Sequence, residues 1–282
     1  MALTLLIAMN RPFTAFLAVL AALLPAWAAA QETLRIRGSD TLGAKLMPQL
    51  AEQFKMGHGR ELSFDIAAEG SSTAFTNLAA GTADIGMSSR RIKEEETLLC
   101  ESKGIRLREM EIAWDLIVIV VNQDNPVTNL SRLQVRQIFS GEVRDWAEVG
   151  GRPGRISTYT RNTSSGAYKD FMALALGNHE YGTHTQKMAG NEQIAAEVGA
   201  NVNGVGYVGY AYADAKGARI VSIDGVLPVP AMVKSYAYSR PTYLYTRGEP
   251  SGMVKAFLDY ISTPAGDVIV SNCGFVPKTK AR

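Results

Sequence analysis

The sequence is poor in cysteine and histidine, the residues that most often form disulfides and metal sites. Its 282 residues include two cysteines, Cys100 and Cys273, and three histidines, His58, His179 and His184. The histidines lack the spacing of a metal site, so the sequence predicts no metal centre. A disulfide stays open, because the pairing of two cysteines so far apart in the chain cannot be assigned from sequence.

The chain also lacks an excess of charge of either sign. It has 29 basic and 27 acidic residues, a formal net charge of +2, and no block of basic residues. A balance this close to zero gives no general attraction to nucleic acid or to an anionic membrane. After the first 30 residues no apolar run is long enough to span a bilayer. We therefore expect a soluble mature protein with no nucleic-acid partner.

The first 30 residues have the pattern of a secretory signal peptide. One cation, Arg11, precedes an apolar run at 13–24, and small residues in the A-x-A relation lead to Ala30. We predict cleavage after Ala30 and export of the mature chain. The alternative is a membrane anchor, but the run is short for a transmembrane helix and no positive charge stops it. Translation could begin at Met1 or at Met9, which gives the signal a better charged start.

Strand-like and helix-like segments alternate along the chain. Residues 62–66 alternate as in a strand, whereas Leu46, Leu50 and Phe54 recur at the spacing of a helical face. Pro48 must then lie early in that helix, where it removes no internal hydrogen bond. The apolar run at 112–122 is typical of a strand buried on both faces. This alternation predicts an α/β fold with largely parallel sheets.

Paired hydroxyl residues follow four of the predicted strands, at the points where helices begin. The four groups are Ser39 with Asp40 and Thr41, Ser71 with Ser72, Ser88 with Ser89 and Arg90, and Ser164 with Ser165 after Arg161. Free N–H groups at the start of a helix attract anions, and ligands of open α/β sheets bind beyond the carboxyl ends of the strands. Four turns could thus converge on one oxyanion. Each turn alone is also consistent with a capped helix and solvated side chains.

The segment RNTSSGAY, at 161–168, has the most complete anion-site pattern of the four. Ser164 or Ser165 would cap the helix that follows, and Gly166 lets another group approach the backbone closely. Arg161 adds a fork of charged donors just before that helix.

Six motifs occur in a characteristic order along the chain. They are GSDT at 38–41, GSS at 70–72, ADIGMSSR at 83–90, IFSGEVRDW at 138–146, RNTSSGA at 161–167 and VGYVGYAYA at 205–213. Together they resemble the periplasmic phosphate-binding proteins of ABC importers, the PstS-like family, over nearly all of the chain after the signal. The resemblance implies a type II periplasmic-binding fold, in which two α/β lobes joined by two crossings enclose the ligand in a cleft.

The same resemblance predicts where the lobes begin and end. The signal peptide takes residues 1–30, the first part of lobe 1 takes 31–118, lobe 2 takes 119–238, and the chain returns to lobe 1 at 239–282. The crossings are placed near 117–122 and near 240–246.

The resemblance also implies a phosphate site in that cleft. The candidate ligand-binding residues are Ser39, Asp40, Thr41, Leu42, Ser71, Ser72, Ser89, Arg90, Arg161, Ser165, Gly166 and Ala167. The ligand residues of the family fall on six of these, namely Thr41, Leu42, Ser71, Arg161, Ser165 and Gly166.

Two positions depart from the family pattern. Ser89 stands where the best-known members have an aspartate, which accepts a hydrogen bond from protonated phosphate and would be left unpaired by sulfate. Ser89 can donate or accept and so discriminates less sharply, which leaves Asp40 as an alternative acceptor. Ala167 replaces a threonine and removes one hydroxyl. In a related branch of the family, the sequence SSR occurs at the positions of Ser88, Ser89 and Arg90. The resemblance to that branch implies that Arg90 could contact the anion.

The resemblance implies that a monomer without a cofactor captures inorganic phosphate for a membrane ABC permease. Binding of another oxyanion, such as sulfate or molybdate, stays open, and so does a phosphate sensor that is not coupled to import. An enzyme is disfavoured, because the hydroxyl turns contain no G-x-S-x-G, no neighbouring histidine and no metal cluster. The glycines at 205–213 lack the spacing of a dinucleotide site, so we expect the tyrosines there to pack within lobe 2.

Overall fold

The computed structural model describes residues 32–58 and 62–281. The predicted signal peptide lies outside the described residues. The strands are β1 (Glu32–Gly38), β2 (Leu62–Ala67), β3 (Ile85–Ser88), β4 (Leu107–Asn122), β5 (Asn129–Leu130), β6 (Ser157–Arg161), β7 (Gln186–Met188), β8 (Gly204–Gly209), β9 (Ala218–Ile220), β10 (Ser222–Ile223), β11 (Ser239–Arg247) and β12 (Val276–Pro277).

Helices alternate with these strands. The α-helices are α1 (Asp40–Gly43), α2 (Leu46–His58), α3 (Ser71–Ala80), α4 (Glu94–Glu101), α5 (Arg132–Ser140), α6 (Gly166–Leu176), α7 (Asn191–Ala200), α8 (Gly252–Ile261), α9 (Pro264–Asn272) and α10 (Lys278–Ala281). Short 3-10 helices occur at Trp146–Val149, Tyr210–Tyr212 and Pro230–Met232. None of the helices within the described ranges is both long and apolar enough to cross a membrane.

A ten-stranded sheet runs through both halves of the described chain. Its order is β2-β1-β3-β11-β4-β8-β6-β7, with β9 and β12 also paired to β4. The strands β1, β2 and β3 are parallel to one another, and so are β6, β7 and β8. In contrast, β4 and β11 are antiparallel to each other and to their neighbours. The prediction of parallel strands is therefore wrong at the centre of the sheet, where two crossing strands run in opposite directions.

The long strand β4 belongs to both halves of the sheet. Its residues 107–116 pair with β11, whereas residues 117–121 pair with β8. The chain returns beside it, since the Ile117 N–H donates to the Tyr238 carbonyl at 3.0 Å just before β11 begins. This double crossing confirms the predicted two-lobed α/β fold. The predicted residue bounds of each lobe stay a prediction.

Separate hydrophobic cores lie on the two sides of the crossing. In the half that contains β1–β3, here called lobe 1, helix α2 buries Leu46, Leu50 and Phe54 completely. The predicted helical face is thus confirmed, and Pro48 is the third residue of α2, as its missing N–H requires. In the other half, lobe 2, residues 116–121 of β4 form the centre of a core that α5, α6 and α7 cover.

Both cysteines are unpaired. Cys100 is buried in α4, where its Sγ lies 3.8 Å from the carbonyl oxygen of Phe75. Cys273 directly follows α9 and packs at the edge of the lobe 1 core. The question of a disulfide, which the sequence left open, is therefore answered by two free thiols.

Candidate anion site in the cleft

Four loops meet where the two lobes touch. Three belong to lobe 1 and follow β1, β2 and β3, and the fourth belongs to lobe 2 and joins β6 to α6. The first and second loops are joined by the Gly70 N–H, which donates to the Gly38 carbonyl at 2.7 Å. The second and fourth are joined across the cleft, where the Ser72 N–H donates to the Ser164 carbonyl at 3.3 Å. The structure thus brings together the four turns that carry hydroxyls.

The start of α6 packs against two hydroxyls of lobe 1. Gly166, the first residue of the helix, lies so close that an added Cβ would be 2.4 Å from both Ser71 Oγ and Ser89 Oγ. Those two oxygens are 3.3 Å apart, and the Ser89 N–H donates to Ser71 Oγ at 3.1 Å. Ser165 caps the helix, since its Oγ accepts from the Tyr168 N–H at 3.4 Å. Of the two serines that the sequence allowed as cap, the second is used.

Three buried hydroxyls of the cleft are arranged to donate hydrogen bonds. Thr41 Oγ1 accepts from Arg240 Nη2 at 3.4 Å, and the Oγ atoms of Ser71 and Ser165 accept from backbone N–H groups. A hydroxyl has one proton and two lone pairs, so each oxygen keeps its proton for a further acceptor, which for Ser71 can be the Ser89 Oγ at 3.3 Å. None of the three residues is more than 2% exposed. An acceptor for these protons therefore has to lie inside the cleft.

Arg161 is a buried cation at the same place. Its side chain is 1% exposed, and its Nη2 donates to the carbonyl of Ala189 at 2.9 Å. Nη1 lies 3.1 Å from Asp40 Oδ2 but is not aligned for a hydrogen bond, and neither Nη1 nor Nε has a hydrogen-bond partner among the described residues. Burial lowers the pKa of this guanidinium, whereas the Asp40 carboxylate raises it. Two donors of a buried cation are thus available to an anion.

Comparison with known proteins shows the family of this chain. Residues 25–264 match the PBP superfamily domain. The chain is 30% identical to the phosphate-binding protein PstS of Pseudomonas aeruginosa, over 85% of this chain and 81% of the relative. The chain belongs to the PstS-like family of the PBP superfamily.

Two solved structures share the fold of this PstS-like chain. One, described as a phosphate ABC transporter substrate-binding protein with bound phosphate from Clostridium perfringens, is 31% identical with a TM-score of 0.80, and the match covers 87% of this chain and 99% of that one. The other, an ABC-type phosphate transport receptor from Vibrio cholerae, is 26% identical with a TM-score of 0.70, over 87% of this chain and 100% of that one. The predicted family and fold are confirmed.

In this PstS-like chain, Arg90 is paired within lobe 1, although its Nε has no hydrogen-bond partner among the described residues. Its Nη1 and Nη2 donate to the two carboxylate oxygens of Glu96, at 2.8 and 2.5 Å, and Nη2 also donates to Ser72 Oγ at 3.0 Å. Glu96 therefore balances the charge of Arg90. The Arg90 guanidinium also fixes the position of the Ser72 hydroxyl through a hydrogen bond. A direct contact between Arg90 and an anion stays a prediction.

Three further candidates present little side-chain chemistry to the cleft. Leu42 is fully buried in the core of lobe 1, so only its backbone can face the cleft. Ser39 is buried and precedes α1, but its side chain makes no capping hydrogen bond there. Ala167 is buried as the second residue of α6. For these residues, contact with an anion stays a prediction.

Asp40 joins the two lobes of the PstS-like fold. Its Oδ2 accepts from Asn191 Nδ2 at 2.7 Å and from the Asn191 N–H at 3.2 Å, at the first residue of α7. Arg161 Nη1 approaches the same oxygen. Oδ2 of Asp40 is therefore used by hydrogen bonds to lobe 2. The sequence suggested Asp40 as an acceptor of a hydrogen bond from protonated phosphate, and Oδ1 is the oxygen that remains for this role.

Sequence reasoning missed five residues that support the site. They are Asp115, Asp170, Asn191, Tyr212 and Arg240. The Tyr212 hydroxyl donates to the carbonyls of Asp40 and Thr41, at 3.2 and 2.8 Å, so a tyrosine expected only to pack within lobe 2 also holds the first loop. Asp115 could have been noticed in the sequence, because a carboxylate inside a strand of buried apolar residues needs a partner. No feature of the local sequence indicated Asn191, since its partner Asp40 is 151 positions away.

Proposed function

We propose that this chain is an exported receptor that captures inorganic phosphate and presents it to an ABC importer in the membrane. The observation that carries the proposal is Arg161, a buried cation paired with Asp40, whose Nη1 and Nε form no hydrogen bond within the described chain. The names of the relatives support the ligand, since one is a phosphate-binding protein and another holds bound phosphate. Those names also support the importer as partner.

The proposed site holds phosphate by charge and by hydrogen-bond donors. Arg161 supplies the positive charge, and Thr41, Ser71 and Ser165 supply hydroxyl protons. Free N–H groups at the starts of α3 and α6 add donors and the positive ends of two helix dipoles. Most oxygens of a phosphate ion only accept, so a site built of donors matches it. No bond of the anion has to break, and the proposed role is binding without catalysis or cofactor.

We infer that the two lobes close on the anion. The bond from Ser72 to Ser164 and the contact of Gly166 with Ser71 and Ser89 join opposite sides of the cleft. They form only when the lobes are together, and β4 with the start of β11 is the natural hinge. In this proposal the two predicted lobes, residues 31–118 with 239–282 and residues 119–238, move as rigid units. The mature protein is a monomer in the periplasm, produced by cleavage after Ala30.

Selection of phosphate over sulfate requires an acceptor for the phosphate proton. Asp40 Oδ1 and Ser89 Oγ are the two candidates in the cleft. A carboxylate beside a fully ionised sulfate would be an unpaired acceptor and a repelling charge. We therefore propose that Asp40 makes the site prefer phosphate, despite the serine at position 89.

Isothermal titration of the mature chain, refolded to remove bound anion, tests the proposal. Phosphate is titrated at about pH 6 and about pH 8, across the second ionisation of a phosphate group, and sulfate is titrated as the control. Tight binding of phosphate alone is expected. Equal binding of both anions would make the chain a general oxyanion receptor, and binding of neither would overturn the proposal.

The importer is tested separately, by phosphate uptake into cells with and without the chain. Uptake that falls when the chain is removed is expected. Unchanged uptake, with phosphate still bound by the purified chain, would favour the sensor.

A further inference from the structure

Arg240 is a buried arginine at the point where the chain returns to lobe 1. It is the second residue of β11, and its side chain is 3% exposed. In the sheet it lies opposite Asp115 of β4. Because β4 and the start of β11 are the two crossings, Arg240 lies at the hinge. Burial of an arginine is costly unless its charge is matched, so its partners are informative.

All three guanidinium nitrogens of Arg240 have partners. Nε and Nη2 donate to Asp115 Oδ2 at 3.2 and 2.9 Å, and Nη1 donates to Asp170 Oδ2 at 3.2 Å. Nη2 also donates to Thr41 Oγ1 at 3.4 Å. One side chain thus connects a crossing strand, helix α6 of lobe 2 and the first loop of lobe 1. Burial disfavours its charged form, but the two carboxylates outweigh burial and raise the pKa of Arg240.

The bond to Thr41 determines how that hydroxyl can act. Thr41 is 1% exposed, and among the described residues Arg240 is the hydrogen-bond partner of its Oγ1. Since a cationic donor occupies one lone pair of the oxygen, the hydroxyl proton points elsewhere and can be donated.

The bond to Asp170 acts on the other side of the cleft. Asp170 lies four residues after Gly166 in α6, so the two share one face of the helix. Gly166 is the residue that touches the hydroxyls of lobe 1. Asp170 thus holds the guanidinium of Arg240 from the helix whose first residue touches the lobe 1 hydroxyls.

We propose that Arg240 is a positioning residue of the oxyanion site, which turns the Thr41 hydroxyl toward the anion while Asp170 holds its guanidinium in place. This inference rests on the proposed phosphate binding. Arg240 does not contact the anion, because its nitrogens are used by protein oxygens. If Arg240 were purely structural, its substitution would lower stability alone. If it positions Thr41, its substitution should weaken phosphate binding only when residue 41 carries a hydroxyl.

A double-mutant cycle in phosphate affinity tests the inference. Arg240→Lys keeps the charge but loses the planar fork that reaches three partners at once. It is combined with Thr41→Val, which removes the hydroxyl, and with Thr41→Ser, which keeps it. Calorimetry gives each Kd, and thermal unfolding without phosphate shows that each variant folds.

The expected result is a conditional loss of affinity. Arg240→Lys should weaken phosphate binding about tenfold when position 41 carries a hydroxyl, in the parent and in the Thr41→Ser background. In the Thr41→Val background it should weaken binding by less than about threefold. Equal losses in all backgrounds would overturn the inference alone, and a parent that binds no phosphate would overturn it together with the proposed function.

A second variant covers the case in which Arg240→Lys does not fold. Asp170→Asn leaves the arginine in place but removes the charge that holds its Nη1. Its effect on phosphate affinity should again be larger with a hydroxyl at position 41 than in the Thr41→Val background. An effect that is the same in both backgrounds would refute the positioning role.

Discussion

Substitution of Gly166 by alanine should separate folding from phosphate binding. An alanine Cβ would lie 2.4 Å from Ser71 Oγ, 2.4 Å from Ser89 Oγ and 3.1 Å from Ser71 Cβ, whereas an ordinary van der Waals contact of a Cβ is 3.4–4 Å. The backbone itself accepts alanine, because Gly166 is absent from the residues with positive φ and begins a helix, where alanine is the better former. The clash therefore lies across the cleft and not within α6.

The expected size of the effect follows from that clash. Relief requires the lobes to separate by about 1 Å or the serines to leave their positions, and overpacking of this kind costs about 1–3 kcal/mol. The cost falls on the closed form that holds the anion. Since about 1.4 kcal/mol corresponds to a factor of ten in Kd, Gly166→Ala should weaken phosphate binding by about 5- to 150-fold. The unfolding temperature without phosphate should be unchanged or slightly higher.

Calorimetry with phosphate and thermal unfolding of the anion-free chain measure the two quantities. Gly57→Ala is the matched control, because Gly57 lies in α2 and an added Cβ there meets nothing within 4 Å. The control should bind like the parent. If Gly166→Ala binds phosphate within twofold of the parent, the close approach of α6 to the two serines is not part of binding. If it binds weakly but also unfolds at a much lower temperature, the effect is one of folding and the reasoning fails.

Three further predictions concern charge, pH and thiols. Arg161→Met should weaken phosphate binding at least about 100-fold, because two charge-assisted bonds of about 1.5–3 kcal/mol are lost, whereas the exposed Arg152→Met should not; calorimetry showing less than a tenfold loss would contradict the site. A hydrogen bond from Arg35 holds the pKa of Asp84 below its usual range. The contribution of Asp84 to stability is therefore present above about pH 4 and is lost as the pH falls through the lowered pKa. Asp84→Asn should therefore reduce the free energy of unfolding by about 0.5–1 kcal/mol at pH 7 in this partly solvent-screened pair, and denaturant titrations that show the same difference at about pH 2 would refute the explanation. Two thiols per unfolded chain, Cys100 and Cys273, should react with a thiol reagent without prior reduction; none would show a disulfide.

Much of the local structure of the site could be predicted from the sequence. The helix cap at Ser165, the early Pro48 in α2 and the buried face of that helix depend on neighbours a few residues away. The positions of the hydroxyl turns were predictable from the serines between strand and helix patterns. The expected capping occurs at Ser165, but no serine of the other three turns caps its helix. Resemblance to a family then indicated that these turns meet at one cleft.

The direction of the central strands was not predictable in this way. The apolar run at 112–122 looks the same in a parallel and in an antiparallel sheet, because burial on both faces depends on what covers the strand and not on its direction. In the structure β4 extends to Leu107, and it is paired on that side with β11, more than a hundred residues later in the chain. The chain crosses between the lobes once in each direction, along β4 and β11. These two crossing strands are therefore antiparallel neighbours at the centre of the sheet.

The amino-acid sequence by itself determined most elements, the helix cap at Ser165 and the positions of the hydroxyl-bearing turns, because these depend on period and on contacts within a few residues. Only the tertiary structure decided how the charges are shared. Arg90 is neutralised by a glutamate six residues away, whereas Arg240 pairs with Asp115 across 125 positions. Arg161 forms an ion pair with Asp40, and its Nε and Nη1 make no hydrogen bond within the described chain. A buried charge takes whichever partners the fold brings within reach, and the local sequence, which singled out Arg161, did not show those partners.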